Sequence, residues 1–212
     1  VRPVGGDEQM LMPINPEHPE PRKIKRAVDI LKSGGVIAYP TGTVIGFGCD
    51  LTNKKAVEKV YRIKGAQKGK PFSFLCADLS DISTYAVVPD SAYRLMRRLV
   101  PGPYTFILEA TKEVPKLSMD KRKTVGIRVP EHPVPRAIIE ELGCPIISTS
   151  AKRDGDEWIT NDPVEIDRQF KQLDLVLDAG MGGISPSTIL AFDETGAVEV
   201  LREGSGSVDG IV

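Results

Sequence analysis

The chain has 212 residues, of which 41% are hydrophobic and 27% are charged, and its formal net charge is −1. This length suits one domain with a substantial core. The balanced charge argues against a dedicated, nonspecific nucleic-acid binder, which usually carries a basic excess, but it leaves room for a local basic groove. No run approaches the roughly 18 apolar residues of a membrane span, and no signal peptide is visible, so we expect a cytoplasmic protein.

The cysteines and histidines are not spaced for metal binding or nucleophilic catalysis. Cys49, Cys76 and Cys144 lie in or beside apolar runs, which favours buried free thiols. His18 and His132 each precede a proline in a polar turn. We therefore expect no metal held by protein side chains and no histidine-based catalytic triad.

Predicted helices and strands alternate along most of the chain. Residues 1–20 lack periodicity and predict an extended N-terminal arm, followed by one domain over residues 21–212. The predicted helices are 21–33, about 53–64, 90–100, 133–142 and 163–171, and the predicted strands are 36–39, 72–76, 104–108, 124–129, 145–148, 173–177, 187–192 and 198–202. This alternation favours an α/β fold, and the crowded strands near the end favour a mixed sheet with antiparallel pairs.

The end of the first predicted strand suits a small ligand. Thr41 and Thr43 follow buried residues 36–39, and Gly46 and Gly48 come shortly after. Ligands of open α/β sheets bind beyond the carboxyl ends of strands, and glycines permit close backbone approach. The same pattern also fits a strand-to-strand turn in which the threonines bond to nearby backbone groups.

Positive charge follows at the end of the next helix. Lys64 stands in the last predicted turn, where a lysine complements the helix dipole. Lys68 and Lys70 then lie with two glycines in the loop at 65–71. Such a loop can close over phosphates, and a solvated surface loop is the alternative.

Arg128 lies within an otherwise apolar predicted strand. A buried arginine needs a paired anion, either a protein carboxylate or the carboxylate of a ligand, and we favour the ligand. A later buried strand ends in hydroxyls at Ser148 and Ser150. No base lies near these serines in the sequence, so we expect them to hydrogen-bond a ligand rather than act as nucleophiles.

In order and spacing, these segments resemble the YrdC-like family over about residues 22–212. The shared markers are Tyr-Pro-Thr-Gly-Thr at 39–43, Gly-Phe-Gly at 46–48, Lys64-Gly65, and residues 101–105, 126–130, 148–151, 187–188 and 201–204. The resemblance implies a single-domain twisted α/β sheet with flanking helices around a large, positively lined cavity. It also implies that the protein makes threonylcarbamoyl-adenylate from L-threonine, bicarbonate and ATP, and that this product is used in tRNA modification. ATP would be a substrate and would be used with Mg²⁺. Residues 1–20, 78–85 and 104–115 look closest to the YciO branch, which shares the fold.

The resemblance also implies roles for particular residues. Thr43 and Arg128 would bind the threonine-like substrate, with Arg128 pairing its carboxylate. The substrate pocket would be completed by Ser148, Ser187 and Thr188. The nucleotide phosphates and adenylate would lie against Lys64, Lys70, Thr124, Ser150 and Arg202.

Five positions depart from the pattern of the synthases. Ala66 replaces the arginine of their Lys-x-Arg motif, and Lys152 replaces the asparagine of their Ser-x-Asn motif. Gly42 and Ile45 replace an acidic residue and a tyrosine, and Leu75 replaces a histidine. Removing one preorganised group that stabilises transition-state charge typically costs about 10²–10³ in rate. Nearby lysines do not reproduce the bidentate geometry of an arginine.

Two functions therefore stay open. One is a carbamoyl-adenylate synthase with weak or altered activity. The other is a module that binds a nucleotide, tRNA or double-stranded RNA without forming an adenylate. A third reading, from fold similarity to magnesium-dependent dihydroxybutanone-phosphate synthase, needs an acidic metal cluster, and the pocket segments offer few carboxylates beyond Asp50.

Overall fold

In the described part of the chain, eleven β-strands form one mixed sheet with helices packed on it. A computed structural model describes residues 10–67, 71–119, 122–193 and 195–211. Within those ranges the strands are β1 (Met10–Pro13), β2 (Ile37–Tyr39), β3 (Gly46–Asp50), β4 (Ser73–Leu75), β5 (Ala86–Val87), β6 (Tyr104–Ala110), β7 (Thr124–Arg128), β8 (Ile146–Ser150), β9 (Leu175–Asp178), β10 (Thr188–Phe192) and β11 (Val198–Arg202). The α-helices are α1 (Pro21–Lys32), α2 (Lys54–Lys64), α3 (Leu79–Tyr85), α4 (Asp90–Leu99), α5 (Pro133–Leu142) and α6 (Pro163–Gln169). In the part of the chain described, no helix combines the length and the apolar character that a membrane crossing needs.

The strand order across the sheet is β1-β9-β2-β3-β8-β4-β7-β6-β10-β11, with β5 paired to β6. The pairs β1–β9, β9–β2, β4–β7 and β6–β10 are parallel, and the other pairs are antiparallel. The structure therefore confirms the expected α/β fold, with a mixed sheet and flanking helices.

The two faces of the sheet are covered by different groups of helices. Ile37 and Tyr39 of β2 pack in one apolar cluster with residues of α1 and α5. Ala38, which lies between them, packs in the other cluster with residues of α2 and α4. This alternation is the period of two that a strand imposes on its side chains. We call the side that carries Tyr39 the Tyr39 face.

The ends of α2 are fixed by local hydrogen bonds and backbone geometry. The side chain of Asn53 accepts the backbone N–H of Ala56 at 3.0 Å, which caps the first turn. Gly65 has a φ of 69°, and this left-handed conformation ends the helix. Lys64 therefore stands in the last turn, as the sequence predicts.

Some predicted elements match the structure and others do not. The helix at 133–142 and the strand at 198–202 have the predicted bounds. Helix α3 is absent from the sequence predictions, and its only buried side chain is Ile82, so it lacks an apolar stripe. Strand β3 is also absent from them, because Gly46 and Gly48 lack the side chains by which a strand is recognised.

The predicted N-terminal arm contributes to the sheet. Met10–Pro13 forms edge strand β1, parallel to β9. The backbone N–H of Ile14 then donates to the carbonyl oxygen of Asp178 at 2.8 Å, and the Ile14 side chain is buried. The first nine residues of the predicted arm lie outside the described ranges.

Candidate functional site

A cavity of about 320 Å³ lies on the Tyr39 face of the sheet. Leu75 shows this placement, because it belongs to the apolar cluster that packs against α1 and α5 and also lines the cavity. Eight lining residues carry hydroxyl groups: Thr41, Thr43, Ser73, Thr105, Ser148, Thr149, Ser150 and Ser187. Two more, Arg128 and Arg202, carry positive charge, and none of the described lining residues carries a carboxylate. The wall therefore suits a ligand with several oxygen acceptors and negative charge.

Arg128 is the most deeply placed charge in the cavity wall, since only 5% of the residue is exposed. Its Nε donates to the carbonyl oxygen of Gly102 at 3.2 Å, and its Nη2 donates to the carbonyl oxygen of Thr41 at 2.8 Å. Its Nη1 donates to Thr43 Oγ1 at 2.7 Å. These bonds fix the guanidinium plane, but no carboxylate of the described residues forms an ion pair with it.

The electrostatic environment of Arg128 follows from this burial. Burial lowers the pKa of Arg128 to about 10, and the charge of Glu131 opposes that change from a distance. The guanidinium therefore stays protonated at neutral pH. A buried cation without an ion-pair partner is costly, and an anionic ligand would relieve that cost.

Thr41 and Thr43 serve both of the roles that the sequence left open. Thr41 Oγ1 donates to the carbonyl oxygen of Val44 at 2.6 Å, so the threonine stabilises the turn between β2 and β3. The two threonine oxygens are 3.0 Å apart. Because the proton of Thr41 is engaged with Val44, Thr43 donates to Thr41 and accepts from Arg128. Both threonines also line the cavity.

Lys64 meets the cavity at Ser150. Only 6% of Lys64 is exposed, and its Nζ donates to the carbonyl oxygen and to Oγ of Ser150, at 3.0 and 3.1 Å. Ala66, two residues later, is partly buried against the apolar cluster that contains α2. The predicted nucleotide residue Lys70, like Lys68, lies outside the described residues.

Arg202 forms the opposite wall with Ser187. Its Nε and Nη2 donate to the carbonyl oxygen of Ser187 at 3.1 and 2.7 Å, and burial lowers its pKa. The hydroxyl oxygens of Ser187 and Thr105 are 2.8 Å apart. The cavity thus has guanidinium groups from two strands, β7 and β11.

Three of the predicted site residues that the structure describes lie outside the cavity lining: Lys64, which reaches it through Ser150, and Thr188 and Thr124. Thr188 is fully buried, and its Oγ1 donates to the carbonyl oxygen of Gly206 and accepts the N–H of Gly204, at 2.6 and 2.9 Å. Thr124 begins β7, four residues before Arg128. At about 3.3 Å per residue that separation is roughly 13 Å along the strand.

The structure also brings together residues that the sequence reading did not select. Ser73 and Thr105 add hydroxyls to the cavity wall. Thr105 is the last residue of the family marker at 101–105, which is a usable signal, whereas Ser73 stands in a short apolar strand without one. Leu75, at the position where the family resemblance predicts a histidine, is buried and lines the cavity.

The cysteines lie apart from this cavity. Cys49, Cys76 and Cys144 are free thiols, as the sequence predicts, and burial raises the pKa of each. Across the described ranges, no cluster of three or more histidine, cysteine, aspartate or glutamate residues is placed to hold a metal ion.

Comparison with known sequences places this cavity in a family context. The sequence profile of the Sua5/YciO/YrdC family, described as "Telomere recombination", matches residues 29–204. YciO of Escherichia coli K12 is 45% identical over 197 residues, which span 92% of this chain and 95% of YciO. A threonylcarbamoyl-AMP synthase of Psychromonas ingrahamii is 33% identical over 180 residues, which span 82% of this chain and 94% of the synthase.

Solved structures agree with the sequence comparison. The crystal structure of E. coli YciO matches with a TM-score of 0.90 at 42% identity, covering 96% of this chain and 100% of that one. The structure of P. abyssi Sua5 complexed with L-threonine matches with a TM-score of 0.86 at 26% identity, covering 92% of this chain and 58% of Sua5. By its sequence and its fold, the chain belongs to the Sua5/YciO/YrdC family.

Proposed function

We propose that the chain binds a nucleotide and a small amino acid in this cavity, as a relative of L-threonylcarbamoyladenylate synthase with weak or altered adenylation. The reaction of that synthase joins L-threonine, bicarbonate and ATP. The observation that carries the proposal is Arg128, a buried cation in the cavity wall. Hydrogen bonds from all three of its nitrogens fix it, and no carboxylate of the described residues lies within ion-pair distance.

The amino-acid part of the proposal rests on Arg128 and its surroundings. A ligand carboxylate supplies the anion that the guanidinium lacks, and charge-assisted bonds of this kind are about twice as strong as neutral ones. The hydroxyls of Thr43 and Ser148 lie on the same wall and can bond the polar groups of a small amino acid. The Sua5 relative complexed with L-threonine supports this assignment.

The nucleotide part rests on Lys64, Ser150 and Arg202. The lysine and the arginine supply two positive charges, and Ser150 supplies a hydroxyl at the side of the cavity that Lys64 reaches. Phosphate groups of ATP would offer these two cations negatively charged acceptors, which bind them more strongly than the neutral oxygens of Ser150 and Ser187 do. Relatives named threonylcarbamoyl-AMP synthase support ATP as a substrate.

The weak or altered chemistry rests on Ala66. Its side chain packs partly against an apolar cluster, and it offers no charge beside Lys64. Preorganised charge near the reacting phosphates is usually the largest single contribution to such reactions, and the loss of one such group lowers the rate by about 10²–10³. Binding of both substrates with slow release of pyrophosphate is therefore the expected behaviour.

Calorimetry and a pyrophosphate assay test this function together. We expect L-threonine and ATP to bind, and pyrophosphate to be released slowly only when ATP, L-threonine and bicarbonate are all present. Arg128→Met should abolish L-threonine binding, while Arg168→Met, at an exposed arginine of α6, should leave it unchanged. A wild-type protein that binds neither ligand would contradict the proposal.

A second candidate function is binding of tRNA or double-stranded RNA without adenylation. It is favoured by the excess of positive charge in the cavity wall, which contains Arg128 and Arg202 and no carboxylate among the described lining residues. Lys152, which is partly buried and lies two residues after Ser150, adds a further positive charge. Filter binding would then show an affinity that falls steeply with salt, because phosphate contacts release counterions. Failure to retain either RNA at low salt excludes this candidate.

A further inference from the structure

Tyr39 ends β2 with a fully buried side chain whose hydroxyl lacks a hydrogen-bond partner among the described residues. Buried phenols normally find a partner, because an unsatisfied hydroxyl loses its bonds to water without compensation. Tyr39 does not line the cavity itself. The hydroxyl therefore makes no direct contact with a ligand in the cavity, and its role is still to be explained.

The sheet register brings this hydroxyl towards the cavity wall. Tyr39 pairs with Gly46, and Gly48, two residues on, pairs with Ser148 of β8. Because alternate residues of a strand share a face, Tyr39, Gly48 and Ser148 all lie on the Tyr39 face. Tyr39 can extend across β3 because position 48 has no side chain: a Cβ there would lie 2.6 Å from the Tyr39 hydroxyl oxygen.

The neighbour that this direction reaches is Ser148. Burial raises the pKa of Tyr39 far above its ordinary value, and an interaction between its hydroxyl and that of Ser148 opposes the rise. The two hydroxyls are thus close enough to interact, but they do not meet the geometry of a hydrogen bond in the ligand-free chain. With its pKa raised, Tyr39 stays protonated at neutral pH and remains a hydrogen-bond donor. Ser148 lines the cavity and is itself almost fully buried.

We propose that Tyr39 is a positioning residue that donates its hydroxyl proton to Ser148 Oγ when a ligand occupies the cavity. Ser148 then directs its own proton into the cavity and donates it to an oxygen acceptor of the ligand. No bond other than these two hydrogen bonds forms, and no proton leaves its oxygen. This inference rests on the proposed amino-acid site and deepens it.

The arrangement makes this part of the wall select a carboxylate. Arg128 has only donors, and Ser148 becomes a donor once Tyr39 occupies its oxygen. The proton of Thr43 is already engaged with Thr41, so Thr43 contributes no donor to the ligand. A ligand that offers two acceptor oxygens side by side, as an amino-acid carboxylate does, satisfies both donors.

Tyr39→Phe separates this role from a structural one. The substitution removes an unsatisfied buried hydroxyl, so the ligand-free variant should unfold at the same temperature as the wild type or at a higher one. Its affinity for L-threonine, measured by calorimetry, should fall by about 3- to 10-fold, the equivalent of one hydrogen bond.

Tyr61→Phe is the matched control. Tyr61 is also buried, but its hydroxyl donates to the carbonyl oxygen of Leu117 at 3.0 Å. Removing that hydroxyl leaves the carbonyl without this donor, so Tyr61→Phe should lower the unfolding temperature and leave the affinity for L-threonine unchanged. The two tyrosines should therefore behave in opposite ways.

A double-mutant cycle with Ser148→Ala tests whether Tyr39 acts through the serine. The variant carrying both Tyr39→Phe and Ser148→Ala should bind L-threonine no more weakly than Ser148→Ala alone. Additive losses, or an unchanged affinity in Tyr39→Phe, would overturn the positioning role while leaving the proposed function intact. A wild-type protein that binds neither L-threonine nor ATP contradicts the proposed function, and the positioning role falls with it.

Discussion

Replacing Arg128 with lysine keeps a positive charge in the cavity wall but removes the planar group that carries it. The guanidinium donates through three different nitrogens, at 3.2 Å to Gly102, 2.7 Å to Thr43 and 2.8 Å to Thr41. A lysine ammonium has one nitrogen and cannot reach acceptors that are spread around the edge of a guanidinium. Arg128→Lys should therefore lose about two bonds from a charged donor and leave two buried carbonyl oxygens poorly satisfied.

The expected size of the effect follows from those bonds. Hydrogen bonds to charged groups contribute about 1.5–3 kcal/mol each, and the retained ammonium offsets part of the loss, so the free energy of unfolding should fall by about 3 kcal/mol. For a chain of this length, that corresponds to a decrease of about 6–12 °C in the midpoint of thermal unfolding. The affinity for L-threonine should fall by about tenfold or more, because the lysine ammonium does not occupy the position from which the guanidinium donates to the ligand carboxylate.

Thermal unfolding followed by circular dichroism, and calorimetric titration with L-threonine, measure the two effects. Arg168→Lys is the control, since Arg168 is an exposed residue that pairs with Glu165 on α6 and should change stability little. Arg128→Lys with the affinity of the wild type for L-threonine would refute the assignment of this arginine to the ligand carboxylate.

Three further predictions concern the reaction, the sheet and a helix end. Restoring the synthase motifs with Ala66→Arg and Lys152→Asn should raise pyrophosphate release by about 10²-fold, and no gain would show that these positions do not limit the rate. Gly48→Ala should destabilise the protein by more than about 3 kcal/mol in denaturant titrations, because the new Cβ would lie 1.9 Å from the carbonyl oxygen of Ile147. The control is Gly143→Ala, at an open position with φ of 80°, which should cost about 1–2 kcal/mol. His132 caps α5 by accepting the N–H of Val134, and burial lowers its pKa from 6.5. As the pH falls, the unfolded chain therefore takes up the proton before the folded chain does. The free energy of unfolding should then decrease as the pH falls below 6.5. His132→Asn keeps an acceptor and should flatten that dependence between about pH 7.5 and about pH 5.5; an unchanged slope would contradict it.

Helices with a clear apolar stripe could be predicted from the sequence. The residues of α5 and the buried positions of α1 recur at helical spacing and are bounded by proline or glycine. Helix α3 could not be predicted in this way, because one buried residue, Ile82, cannot define a period. Strand β3 could not be recognised because two of its five residues, Gly46 and Gly48, have no side chain that would mark a buried strand. They are buried because β2 and β8 flank them.

The candidate site could be predicted in part. Hydroxyls at strand ends and an arginine in an apolar strand are visible in the sequence, and the structure places Thr43, Arg128 and Ser148 in one cavity wall. The use of Thr188 could not be foreseen, since it depends on how residues 204–206 return to its hydroxyl. Thr124 shows a different limit of the sequence reading. It lies on the same strand as Arg128, but at the opposite end of β7 and outside the cavity lining.

The walls of the cavity come from segments that are far apart along the chain. The turn after β2 provides Thr43, β7 provides Arg128, and β11 provides Arg202. Native contacts of such long sequence separation require large loops to close before they contribute energy, so we expect the cavity to be complete only late in folding. A ligand that bridges these segments would then favour the fully assembled sheet and slow amide hydrogen exchange across strands that it does not touch.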